Sequence, residues 1–153
     1  MAKIYDVAHY ILQKLPEVTI MKLQKLCYYA QAWTLAWDEQ PLFDEDFQAW
    51  ASGPVCFELY ALHKELHKEN YGIDTREIKP FAKERLTENE KKNIDIIIND
   101  YGDKPLHYLQ ELTHMERPWK ETRGTLPLGT KSNAIIPKEL MLEYYSGLLS
   151  ENT

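Results

Sequence analysis

The sequence predicts a mainly α, compact single-domain helical bundle around a central buried helix at about 20–38, with a small two-stranded β element. Three observations carry this. Leu23, Leu26, Cys27, Ala30, Trp33 and Trp37 recur at helical spacing, while Tyr28, Tyr29, Ala32, Leu35 and Ala36 cover much of the remaining circumference. A helix apolar on several faces has to be wrapped by other elements. Around it, one-sided stripes alternate with Pro and Gly stops. The chain of 153 residues, 44% apolar, has the size and composition of one globular domain with a single core spanning 1–153.

Ile4, Val7, Ala8, Ile11, Leu12 and Leu15 form a clean stripe, so residues 3 to 15 read as an amphipathic helix ended by Pro16. Thr19 is placed to cap the central helix. Phe47 to Ala51 is short and alternating, as a strand is. Gly53-Pro54 then reads as the opening of a third helix, because Pro tolerates the first helical turn; Val55, Leu59, Leu62 and Leu66 would face inward and Gly72 would stop it. Residues 75 to 79 read as a second strand paired with 47–51, kept to an edge by Pro80.

Thr87 and Glu90 form a capping box before a helix buried through Ile94, Ile97, Ile98 and Tyr101. Pro105 starts a helix with Leu106, Leu109 and Leu112 inward, and Pro118 a short turn carrying Trp119. Residues 123 to 136 contain Gly124, Pro127, Gly129 and Asn133 and are long for a plain loop, which points to a functional or mobile segment. Pro137 opens a last helix packed through Leu140, Met141, Tyr144, Tyr145 and Leu148.

A formal charge of −6 argues against a general phosphate-binding surface, so no nucleic-acid partner is expected. The N-terminus lacks the apolar core of a signal peptide and no run reaches membrane-spanning length, so a cytoplasmic protein without a membrane partner is expected. Cys27 and Cys56 are flanked by apolar residues at helical spacing and read as core thiols. His63 and His67 lie four apart, with Cys56 two turns earlier, a spacing that could share zinc. Zinc takes three or four protein ligands and no second pair stands nearby, so a solvated helix face is the better reading; no metal or cofactor is expected.

His114 in Thr113-His114-Met115-Glu116-Arg117-Pro118-Trp119 could act as an acid–base residue oriented by Glu116 or Glu111. The structural alternative has Thr113 and His114 bonding backbone groups at a helix junction locked by Pro118 and Trp119. It is preferred because no nucleophile, Gly-rich phosphate loop or Ser-centred elbow accompanies the histidine. Four tryptophans and ten tyrosines supply core packing, expected for Trp33, and also the usual anchors of protein interfaces.

Three runs stand out together: Lys22-Leu23-Gln24-Lys25-Leu26 leading into Tyr28-Tyr29-Ala30-Gln31 and Trp33, then Ala49-Trp50 with Gly53-Pro54-Val55, then Thr113-His114 with Pro118-Trp119. In this order and at these distances they resemble the Panacea domain family of SocA-like antitoxins and phage-associated GepA-like proteins, over roughly residues 4 to 145. Cys27 stands where a larger aliphatic is expected, and Ala51 where a charge is. The resemblance implies an antitoxin that is not an enzyme and neutralises a cognate protein toxin, encoded in the adjacent gene, by direct binding. Neutralisation would occlude the toxin or deliver it to a protease or chaperone. Trp50, Tyr28, His114 and Trp119 are the candidate partner-binding residues. The alternatives are a small cytoplasmic enzyme using His114 with a carboxylate, and a phage-associated interaction protein without a toxin.

Overall fold

A computed structural model describes residues 1–15, 17–66, 72–73 and 86–151, without the side chains of 63–66 and 72–73. The elements in chain order are α1 (Ile4–Lys14), β1 (Val18–Thr19), α2 (Ile20–Asp38), β2 (Phe47–Trp50), β3 (Gly53–Cys56), α3 (Phe57–Leu66), β4 (Gly72–Ile73), α4 (Glu88–Tyr101), α5 (Leu106–Met115), α6 (Arg117–Arg123) and α7 (Lys138–Glu151). The fold is mostly helical, as the periodicity predicts, with small antiparallel strand pairs.

Helix α2 is the axis. Its residues 23–32 are all buried, and α1, α4, α5, α7 and β3 pack around it. The Thr19 hydroxyl accepts from the Lys22 amide and fixes its start, and Glu39 in the left-handed conformation ends it. The Gln31 side chain accepts from the amides of Leu42 and Phe43 and donates to the Phe43 carbonyl, returning the chain against its own helix. Trp33 is half-buried rather than enclosed: its Nε1 donates to the Tyr101 hydroxyl at 2.9 Å and its ring lies against Tyr145. The Thr87–Glu90 capping box opens α4, and the Ile4 to Leu12 stripe is the buried face of α1.

The β element differs from the sequence expectation. Strand β2 pairs with β3, joining Phe47 to Cys56 and Trp50 to Gly53, so Gly53-Pro54 belongs to a strand and the third helix starts at Phe57. Residues 75–79 lie outside the described residues. Gly72 is in β4, which pairs with β1. The Gly-Pro signal misleads because Pro54 sits where its missing N–H costs no ladder bond. Phe47 and Ala49 turn their backbone groups to Ile136 and Ala134, so their opposites Cys56 and Pro54 face α2 instead.

Candidate functional site: the suspended hairpin and its groove

The β2–β3 hairpin turns through Ala51 and Ser52 onto Gly53, at a φ of +107°. Only glycine suits this corner. A Cβ there would stand 2.8 Å from Lys25 Cε and 3.0 Å from Thr113 Oγ1, and the left-handed φ is strained for any other residue.

Side chains from three helices hold the hairpin's backbone. Lys25 Nζ donates to the Pro54 carbonyl at 3.1 Å. Gln24 accepts from the Cys56 amide at 2.8 Å and donates to its carbonyl at 3.1 Å, the two bonds a neighbouring strand would make. Arg123 donates to the Ala49 carbonyl at 3.0 Å, Trp119 Nε1 to the Trp50 carbonyl at 2.7 Å, and His114 bonds the Ala51 backbone. The outer edge of β3 is thus completed by helix side chains. Each buried acceptor has a donor, without which it would cost about 1–3 kcal/mol.

Two cations lie beneath this hairpin. Lys25 is fully buried, and desolvation lowers its pKa to about 7. Arg123 is 5% exposed, spends its guanidinium on backbone carbonyls and lies over the Trp119 ring at 5.0 Å. His114 stacks on the other partner of that contact, with ring centroids 4.0 Å from Trp119. Desolvation lowers its pKa, and the charges of Lys25 and Arg123 push the same way. Its Nε2 is buried without a hydrogen-bond partner among the described residues. Neither candidate carboxylate is hydrogen-bonded to this ring. Glu116 is buried where α5 meets α6, accepting from Tyr29 at 2.7 Å and Tyr145 at 2.8 Å, and burial raises its pKa to about 7.

Outside the hairpin, a groove of about 910 Å³ runs between the hairpin tip and the segment 131–133. Gln48, Trp50, Ala51 and Ser52 line one side, Lys131, Ser132 and Asn133 the other, with Phe57 and Tyr60 between them. Trp50 meets Tyr60 edge to face at 4.8 Å, and its Nε1 donates to Gln48 Oε1. Phe57 is 51% exposed. The groove exists because the ladder between β2 and the 134–136 segment stops at Ala49, whose carbonyl goes to Arg123.

The four candidate partner-binding residues therefore separate. Trp50 lines the groove and His114 is half-buried behind the hairpin. Tyr28 and Trp119 are enclosed, at 1% and 3% exposure: Tyr28 packs on Phe47 and Tyr145, and Trp119 holds the hairpin from below. Sequence reasoning missed Gln24, Lys25, Arg123, Phe57 and Tyr60. The available signal for the first two was polarity inside a run of buried spacing.

Cys27 and Cys56 are free, buried thiols; burial raises the pKa of both, that of Cys56 to about 12. His67 and the side chain of His63 lie outside the described residues. Among the described residues no helix is long and apolar enough to cross a membrane, and no group of three or more His, Cys, Asp or Glu stands together.

Gln24, Lys25, Trp50, Gly53, Pro54, Thr113, His114 and Trp119, drawn from all three sequence runs, meet at this one hairpin. Comparison with curated proteins and with solved structures gives no match. The family described as antitoxin SocA-like, Panacea domain, matches residues 23–120, from the start of the buried run of α2 to the middle of α6. The chain belongs to the SocA-like antitoxin family of Panacea-domain proteins.

Proposed function

We propose that this protein is the antitoxin of a toxin–antitoxin pair and neutralises its cognate protein toxin by stoichiometric binding through the Trp50 groove. The observation that carries the reading is the convergence of the three sequence runs on a hairpin whose outer face is aromatic and open. Trp50, Phe57 and Tyr60 offer rigid rings beside the polar groups of Gln48, Ser132 and Asn133, the mixture of anchor and adaptable contact that protein interfaces use. Family membership supplies the kind of partner. The acidic chain suits a basic toxin, and the toxin is expected from the adjacent gene. Occlusion and delivery to a protease or chaperone both begin with this binding step. We place the protein in the cytoplasm, where such a toxin acts, and read residues 1–153 as one domain.

The enzyme reading is disfavoured by the engagement of its own parts: His114 is stacked and tied to the hairpin, while Glu116 is held by two tyrosines. Titration separates the two. The protein titrated against the adjacent-gene toxin in a cell-free translation or growth assay should rescue activity only near equimolar ratio. Full rescue at a small fraction of the toxin, lost in a folded His114→Ala variant, would reverse the conclusion.

A further inference from the structure

The far wall of the groove has little of its own to hold it. Every residue from 124 to 131 is exposed, as are 133 to 135. The backbone bonds within 124–133 are local: Gly124 to Lys120, Leu126 to Arg123 and Thr130 to Pro127. Among the described residues, one side chain joins this segment to the sheet. Arg123 puts one terminal nitrogen on the Ala49 carbonyl at 3.0 Å and the other on the carbonyls of Pro127, at 3.1 Å, and Thr130, at 2.7 Å. Its Cζ lies over the Trp119 ring at 5.0 Å, a cation–π contact that helps hold the guanidinium in place. A planar fork with several donors spans strand and loop together, which a lysine ammonium cannot reproduce.

We infer that Arg123 is the positioning residue of the groove, pinning the 124–133 wall at a set distance from the hairpin so that Lys131, Ser132 and Asn133 are in place before a partner arrives. This rests on the reading that the Trp50 groove takes the toxin. Ordering the wall within the free protein removes that entropy cost from binding. Arg123 itself is buried and touches no partner; it acts through the loop.

The test uses the full-length protein. In Arg123→Met, which keeps packing against Trp119 but has no donors, trypsin should cut after Lys131 at least tenfold faster than in wild type. Its melting temperature should fall by several degrees, as the Ala49 carbonyl loses its donor, with the variant still folded, and rescue of growth against the co-expressed adjacent-gene toxin should be lost. Arg123→Lys, which keeps the charge without the fork, should fall between the two and serves if the Met variant does not fold. An unchanged cutting rate overturns the pinning. Faster cutting with full rescue overturns the role in binding while leaving the antitoxin reading intact. Full rescue by Trp50→Ala overturns the docking reading itself, and the cutting rate alone then decides whether Arg123 pins the wall.

Discussion

Lys25 and Gly53 share one space: the lysine stem fills the volume that a Cβ on the glycine would need, at 2.8 Å. The same lysine then reaches past the corner to the Pro54 carbonyl. Gly53→Ala should therefore push the lysine off its acceptor and strain a backbone at φ +107°. A cost of about 2–3 kcal/mol is expected, read as a lower urea midpoint with an unchanged slope.

Removing the lysine should do the reverse. Its folded pKa of about 7 lies far below the ordinary 10.5, because burial disfavours the charge. Such a group penalises folding at pH 7, and stability is recovered as pH rises from about 7 toward 10.5, where the unfolded chain also loses the proton. Lys25→Met should be more stable than wild type at neutral pH by about 1–3 kcal/mol, after the lost bond to Pro54 is counted. The advantage should shrink toward pH 10. Denaturation curves across that range check it.

Glu116 has the opposite slope. Its carboxyl is raised from 4.5 to about 7, chiefly by burial. The folded state holds the proton that the unfolded chain releases, so this contribution is full below pH 4.5 and is lost as pH rises through 7. Its span is on the order of 3 kcal/mol. Glu116→Gln, which still accepts from Tyr29 and Tyr145, should flatten stability between pH 4.5 and 7. If the wild-type curve is already flat there, the carboxyl is not protonated in the fold.

Two tryptophans should behave differently. Trp33→Ala removes a ring packed on Trp37 and Tyr145 and the donor to Tyr101, and should cost about 3 kcal/mol. Trp50→Ala removes an outward ring from the groove and should cost about 1 kcal/mol while abolishing toxin binding. Melting temperature and binding, measured on both variants, separate core from surface.

Much of the fold could be read from spacing, because a buried helix face and a cap are local patterns. The α1 stripe, the Thr19 cap and the Thr87–Glu90 box are of this kind. The hairpin was not, since β3 owes its strand geometry to Gln24 and Lys25, roughly thirty residues earlier. Gly-Pro looks like a helix start until those donors are known. The groove was half legible: Trp50 and the 123–136 segment stood out singly, but nothing local brings them together. Arg123 does so from a position that reads as an ordinary basic helix end.

The hairpin also sets a clock on the newly made chain. The side chain that closes Ala49 comes 74 residues after it, and the one that closes Trp50 comes 69 residues after it. At ordinary synthesis rates, about 4–15 s pass between the strand leaving the ribosome and its last donor following. During that interval β2 has open acceptors and an uncovered edge, and the hairpin cannot take its final form. Such long-range closure belongs to the late part of folding, so substitutions at Trp119 and Arg123 should hasten unfolding more than they slow refolding. A truncated chain that stops short of α6 lacks both donors, and so reveals itself as unfinished by the hairpin it fails to close.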